Sequence, residues 1–429
     1  MLEYKTIILI FSEGELSMYV AIMGYGVVGS GVASLLKKNH EHIVQKSMQN
    51  ELELKYILDR RTFPGDPYEQ IVISDFSKIL EDDEIKIVVE TMGGLHPAYE
   101  YVLACLKAGK SVVTSNKELV AVKGCELLEI ADEKNVNFLF EASVGGGIPI
   151  IRPISQCLAA NDIDEIAGIL NGTTNFILTK MITEGMTFDE ALLLAQKNGY
   201  AERDPSADVD GFDACRKICI LAALCFGKHV YPDSVHTEGI RKIKLSDVEY
   251  AHSWGGVIKL IARAKKLEDG RVSVMVSPAF VQNHSQLASV DDVFNAILVR
   301  GDAIGDVVFY GRGAGKMPTA SAVVADVIDC AKHMERKKFF GWKDSEPGYV
   351  ADYLENVTSF YIRATTENAA SAVASFNSLF GKVEILTREN APEGEIAFTT
   401  EPISEKELSE KLGGVKDAKI ESVIRITDY

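Results

Sequence analysis

The stretch that most constrains the fold is Tyr19 to Gly29, YVAIMGYGVVG, in which a short apolar strand runs without a break into Gly24, Gly26 and Gly29 and then into a helix. G-x-G-x-x-G placed between a strand and a helix is the dinucleotide-binding fingerprint. The first glycine makes the tight turn, the second lets backbone approach a pyrophosphate, and the third packs helix on strand. Phosphates then sit at the helix N-terminus, where free N–H groups and the dipole favour anions. With the glycines, Tyr25, Val27 and Val28 are the candidate cofactor contacts of this turn. The fold class expected is α/β, beginning with a Rossmann-type domain.

The following segments extend that domain. A second strand, Leu54 to Leu58, ends at Asp59, Arg60 and Arg61. An acid at this point binds the adenine ribose hydroxyls and favours NAD, whereas arginines accept the 2′-phosphate of NADP. Both are present, and the reading leans to NADP with NAD tolerated. Ile85 to Glu90 is a buried strand followed by the turn Thr91, Met92, Gly93, Gly94, whose backbone faces the nicotinamide side. After a helix from His96 to Gly109, the strand Ser111 to Thr114 leads into Ser115, Asn116 and Lys117. A lysine at a strand end in an open α/β sheet points into the ligand crevice; the plainer alternative is a solvated lysine. The strand Asn137 to Phe140 ends in EASVGGGIPIIRP. The carbonyls of Gly145 to Gly147, with Glu141 nearby, either ligate a hard cation through oxygen or form a hinge between domains.

Past Pro153 the pattern changes. Ile163 to Leu170 is a strand, Asn171 to Phe176 (NGTTNF) is a polar turn suited to a small polar solute or to an N-cap, and a helix starts at Phe176. Gly199 to Lys217, GYAERDPSADVDGFDACRK, then crowds Glu202, Asp204, Asp208, Asp210 and Asp213 into a short loop and the start of a helix. Asp213 and Lys217, four apart, share one face of that helix. Carboxylates leading to an Asp–Lys pair bind an ammonium-bearing molecule and supply a proton, or else form a capping loop and an ordinary ion pair.

Asp269 to Val281 and Phe294 to Tyr310 read as antiparallel strands. Gly311, Gly313 and Gly315 make a second glycine-rich turn before a long apolar helix from about Pro318. Lys337 to Pro347 reads as a linker. The remainder has the order βαββαβ, the ferredoxin-like arrangement. Domain bounds are therefore 18–148, completed by a helix over 316–336; 149–315, an α+β substrate domain with an antiparallel sheet; and 350–429.

With 429 residues, 47% apolar and 25% charged, the chain is an ordinary globular one. A net charge of −17 argues against nucleic acid. Seven cysteines, with no CxxC pair, suggest reduced thiols in a cytoplasmic protein. No run reaches the ~18 to 20 apolar residues that span a bilayer. The apolar patch Ile7 to Phe11 is flanked by Glu3, Glu13 and Glu15 and does not read as a signal peptide; residues before Met18 read as an extension.

In this order, the glycine loop, the TSNK turn, EASVGGGIP, NGTTN, GYAE-DPSADVDG-D-RK and GRGAGKMPTASAVVAD closely resemble homoserine dehydrogenase, from Met18 to about residue 335. The last unit is similar in element order to the ACT domains of many bacterial members, although its first turn, TTENAAS, lacks the glycine usual in amino-acid-binding ACT domains. The resemblance implies NAD(P)H-dependent reduction of aspartate semialdehyde to homoserine by a homodimer or higher homo-oligomer. It implies cofactor contacts at Gly24 to Gly29, Thr91, Met92, Gly93, Ser115, Lys117 and Gly315. Lys117 and Lys217 flank the reacting carbonyl, with Lys217 the proton donor. Glu202, Asp208 and Asp213 hold the amino acid alongside Asn171, Gly172, Thr173, Thr174 and Asn175. A structural Na⁺ is implied at Glu141 with the backbone oxygens of Val144, Gly146 and Ile148. Two other readings compete: a semialdehyde dehydrogenase acylating a cysteine, for which none of Cys105, Cys125 or Cys157 lies at a strand-end turn, and a dinucleotide-sensing regulator with an ACT-like signalling unit.

Overall fold

A computed structural model of the chain describes residues 17–48 and 50–429. The Ile7 to Phe11 patch and all of the expected extension but Ser17 lie outside them. Six parallel strands form the first sheet: β1 (Ser17–Met23), β2 (Glu51–Leu58), β3 (Val72–Ile73), β4 (Ile85–Glu90), β5 (Ser111–Thr114) and β6 (Phe138–Leu139), in the spatial order β3-β2-β1-β4-β5-β6. Strand order reverses between β1 and β4, and the crevice at the carboxyl ends there is where a doubly wound sheet takes a dinucleotide. Both faces are covered, so these strands read as apolar runs. The Lys316–Lys332 helix returns to this domain, and its Ala320, Val323 and Val327 are buried in one cluster with Val20, Val32 and Leu36.

A second, mixed sheet carries the rest. It contains β7 (Ile163–Ile169), β8 (His236–Thr237), β9 (Gly256–Lys266), β10 (Val272–Gln282), β11 (Phe294–Gly301), β12 (Gly305–Arg312), β13 (Val357–Thr365), β14 (Glu384–Leu386), β15 (Glu395–Thr399), β16 (Ile403–Ser404) and β17 (Lys419–Thr427). The main path runs β12-β11-β7-β9-β10-β17-β13-β15-β14. The expected antiparallel strands are there, the Phe294 to Tyr310 stretch being the β11–β12 hairpin. Strand β9 lies between β7 and β10 and was not anticipated from the sequence.

Two expectations change. The last unit has the βαββαβ order, with the short strand β16 added, and its four main strands run β17-β13-β15-β14, but it is not set apart. Its edge strand β17 pairs in parallel with β10, Phe280 opposite Ile426, and buried Arg363 bonds Asp247 at 2.9 Å. The stretch read as a linker is also pinned down. Trp342 is buried, donates from Nε1 to His229 Nδ1 at 3.0 Å and meets Phe140 edge-on. Among the described residues no helix is long and apolar enough to cross a membrane, and all seven cysteines are free.

Candidate active site

At the carboxyl end of β1, Gly24 takes φ +97°, and a Cβ there would lie 2.9 Å from the Thr91 carbonyl and the Met92 nitrogen. A Cβ on Gly29 would lie 2.0 Å from the Gly24 oxygen. The glycine loop is thus pressed against the turn after β4, and Thr91 Oγ1 locks the contact by donating to Gly24 O at 2.8 Å. Gly26 meets the opposite condition, with nothing within 4 Å of a Cβ. It caps the Val27–Lys38 helix without a side-chain bond, which leaves first-turn N–H groups facing outward for a phosphate.

The end of β2 settles how acid and arginine coexist. Asp59 Oδ2 accepts from Tyr25 N at 2.8 Å and Arg61 Nη2 at 2.9 Å, while Oδ1 accepts from Arg61 N at 2.9 Å and Nε at 3.0 Å. The Arg61 guanidinium holds the Asp59 carboxyl well below the usual carboxylate range. Arg60 is exposed beside it.

Between the two sheets lies a cleft of about 790 Å³. Val28, Thr91, Met92, Gly93, Ser115 and Gly315 line its coenzyme side. Across from them the Phe212–Phe226 helix, capped by Gly211, points Asp213 and Lys217 inward, one turn apart. From the Rossmann side, Asn116 caps the Lys117–Glu133 helix, so Lys117 stands at its first position. Lys117 Nζ lies 2.8 Å from Asp213 Oδ1, and Lys217 Nζ 2.8 Å from Oδ2. Lys217 also donates to Leu170 O at 2.8 Å. Asn171 completes the cluster, donating to Asp208 at 2.7 Å and Asp213 at 2.8 Å.

Burial pushes the Asp213 carboxyl up, but the ammonium groups of Lys217 and Lys117 outweigh it and hold it well below its ordinary range. The Asp213 charge raises Lys117 against the opposing pull of desolvation. Burial, with Asp213 adding repulsion, pushes Asp208 up. A carboxylate fixed between two ammonium groups aims two potential proton donors into the cleft in set directions.

Not every expected residue joins the site. Glu202, Asp208, Asn171, Gly172 and Thr173 line the cleft. Of the two readings of Asn171 to Asn175, the N-cap holds: Asn171 caps the Gly172–Glu184 helix and the rest is its first turn, with Thr174 and Asn175 facing the interior. Asn175 Nδ2 donates to the carbonyls of Val290, Asp292 and Phe294 at 3.0 to 3.1 Å, fastening helix to loop. Within the acidic loop, Asp204 bonds Ser206 and Asp210 pairs with Arg241. The Glu141 carboxylate is taken too: it accepts from the N–H groups of Ile150, Ile151 and Arg152 at 2.6, 2.8 and 2.9 Å. Only its carbonyl remains for a cation. The carbonyls of Val144, Gly146 and Ile148 accept no backbone hydrogen bond from the loops described around them, so oxygen donors fit a hard monovalent ion there. The glycine run is no free hinge, since Gly147 N bonds Arg312 O at 3.1 Å.

Sequence reasoning missed two elements. Glu118 and Arg216, each beside a site lysine, form a second cross-cleft ion pair at 3.0 Å; adjacency to Lys117 and Lys217 was the available signal. Glu90, ending an apolar strand as its sole acid, was the other.

A dinucleotide cradle whose nicotinamide end opens on a cleft lined by lysines and carboxylates is the arrangement of an NAD(P)-dependent oxidoreductase, and that is the class to which this chain belongs. Comparison with known proteins defines it further. The homoserine dehydrogenase NAD-binding domain model matches residues 24–141, and the homoserine dehydrogenase model matches 149–328. The homoserine dehydrogenase of Lactococcus lactis is 38% identical over 378 residues, 86% of this chain and 88% of the relative. The crystal structure of a homoserine dehydrogenase from Thiobacillus denitrificans superimposes with a TM-score of 0.86 at 34% identity, over 96% of this chain and 98% of that one. A hyperthermophilic archaeal homoserine dehydrogenase, solved in complex with NADPH, gives 0.63 at 29% identity, over 73% and 98%. The chain belongs to the homoserine dehydrogenase family, and its reaction is the NAD(P)-dependent interconversion of aspartate 4-semialdehyde and homoserine.

Proposed function

We propose that Lys217 is the proton donor of this reaction, that Lys117 is the second cation at the reacting oxygen, and that Asp213 orients both. The observation that carries the reading is the single carboxylate bonded at 2.8 Å to each ammonium group. When bound, the coenzyme supplies the hydride that reduces the aldehyde carbon. Charge developing on the aldehyde oxygen then meets cations already in place, which need no reorganisation. Lys217 spends two of its three protons on Leu170 O and Asp213 and keeps the third for that oxygen. Glu202 and Asp208 hold the substrate ammonium. The Asn171 side chain bonds Thr174 N, leaving the Gly172 and Thr173 N–H groups for the substrate carboxylate.

NADP is the preferred coenzyme in this reading, with NAD tolerated. Supporting it are exposed Arg60 and Arg61, the filled acceptor sites of Asp59, and the NADPH-bound archaeal relative. A structural Na⁺ is held by the carbonyls of Glu141, Val144, Gly146 and Ile148. The enzyme works as a cytoplasmic homodimer or higher homo-oligomer, a reading supported by the family and by exposed Ile304 and Tyr310 at the β12 edge. The last unit is ACT-like, and a threonine titration of the activity tests whether it regulates. The central test is absorbance at the reduced-nicotinamide band with L-homoserine and NADP⁺ or NAD⁺ in parallel, wild type against Lys217→Ala. Equal kcat for the two proteins would remove the proton-donor role.

A further inference from the structure

We propose that Glu90 is a positioning residue that holds the nicotinamide side of the cleft and the Lys117-bearing turn in one register. It ends β4, is fully buried, and pairs with no Lys, Arg or His among the described residues. Its Oε1 accepts from Met92 N at 2.7 Å and Gly93 N at 3.3 Å. Those two donors belong to the turn that lines the coenzyme side of the cleft. Its Oε2 accepts from Thr114 Oγ1 at 2.5 Å. Thr114 Oγ1 donates its proton to the carboxylate and accepts in turn from Asn116 N at 2.9 Å.

Asn116 extends the chain in both directions. Its Nδ2 donates to Gly94 O at 2.6 Å, back to the Glu90 turn, and its Oδ1 caps Leu119 N at 3.1 Å, fixing the helix that begins at Lys117. The Glu90 carbonyl accepts from Ser115 N at 3.3 Å. One carboxylate therefore sets, through hydrogen bonds alone, the spacing between the 91–94 turn and Lys117. Burying a carboxylate without a cation is unfavourable, and burial does push Glu90 up. A neutral side chain would lack two acceptor oxygens aimed at two separate turns. Hydride transfer is sensitive to that spacing, since a misplacement of about 1 Å costs on the order of a hundredfold in rate.

The inference rests on Lys117 acting at the reacting oxygen, and the test separates the two. Glu90→Gln and Thr114→Val alter the register from opposite ends, and the second keeps the side chain's shape. Each variant, checked for folding by circular dichroism, is assayed with homoserine carrying protium or deuterium at the hydroxymethyl carbon. The expected result is a drop in kcat of roughly ten- to a hundredfold, a raised coenzyme KM, a homoserine KM within about twofold, and a larger primary isotope effect on kcat. A loss that merely thins the active fraction lowers kcat and leaves both KM values and the isotope effect alone, and that outcome would overturn the inference. So would folded variants with wild-type kinetics. Lys117→Ala is run beside them: if it keeps wild-type kcat while the Glu90 and Thr114 variants lose theirs, the role given to Lys117 fails and the hold on the nicotinamide turn stands.

Discussion

Asp213 Oδ1 and Oδ2 each lie 2.8 Å from a different lysine, Lys117 on the Rossmann side and Lys217 one helical turn along its own helix. The carboxylate thereby joins the two halves of the cleft, and its charge raises Lys117. Lys217→Ala is expected to lower kcat by about a hundredfold or more, within the range general-acid groups contribute, while the homoserine KM moves little. Steady-state kinetics in the oxidation direction decides it, a KM effect alone counting against proton donation.

The same bridge predicts a pH effect with a definite sign. Asp213 raises Lys117 above its ordinary value, and desolvation pulls it down. In Asp213→Asn the largest raising influence is gone, and desolvation with Arg216 is left against the smaller push of Asp208, so Lys117 loses its proton at lower pH. The alkaline limb of the kcat profile should move to lower pH in the variant, and kcat should fall at every pH. An alkaline limb that stays put would mean that Lys117 does not report in that profile.

Asp59 and Arg61 carry the prediction on coenzyme choice. Arg61 fills the outer acceptor sites of Asp59, so removing the arginine should do two things at once. Arg60→Ala with Arg61→Ala is expected to lower kcat/KM for NADP⁺ roughly tenfold or more, the scale of a lost hydrogen bond to a charged group. Arg61→Ala alone should also free Asp59 for ribose hydroxyls and raise kcat/KM for NAD⁺. Parallel assays with the two coenzymes measure the ratio, and an unchanged ratio in both variants would place the 2′-phosphate elsewhere.

How much of this was legible in the sequence follows from the range of each signal. Strands β4 and β5 begin and end at the residues expected, because a parallel strand buried on both faces is a compact apolar run between turns. Gly24, Gly26 and Gly29 were legible for a local reason also, the strand before and the helix after. Asn171 to Asn175 left a polar-solute turn and an N-cap open, because the polar residues that cap a helix are also those that make a turn; Asn171 is the cap. Strand β9 was missed, and its Lys259, fully buried with its ammonium on Val290 O at 2.6 Å, obscures the apolar pattern. The β10–β17 ladder joins residues far apart in the chain and leaves no local trace. The role of the Glu141 carboxylate was not legible either, because its three backbone donors lie nine to eleven residues on.

Trp342 gives a stability prediction. The charged residues of 337–347 make it read as a linker, but they flank Phe339, Phe340 and Trp342, and the Trp342 ring stacks on His229 with centroids 5.4 Å apart. Trp342→Ala should lower unfolding free energy by about 3–5 kcal/mol, as for large aromatic deletions in cores. Urea denaturation monitored by circular dichroism measures it, and a loss under about 1 kcal/mol would mean that the segment is only loosely attached.

Asp326 carries the last prediction. The carboxylate sits on the returning helix, bonded to Arg152 and to Glu141 N. Burial pushes its pKa up to about 7, with the Glu141 charge adding to the push and Arg152 opposing it. An unfolded aspartate titrates near ~3.9. Between those two values the native chain holds a proton that the unfolded chain has released, so this group makes stability fall as pH rises through the window and contributes no further slope above it. Asp326→Asn keeps an acceptor for Glu141 N and removes the titration. Thermal unfolding from pH 5 to pH 8 should therefore show the wild type losing Tm relative to the variant up to about pH 7 and running parallel beyond. A constant Tm difference across that range would mean that Arg152 keeps Asp326 ionised throughout.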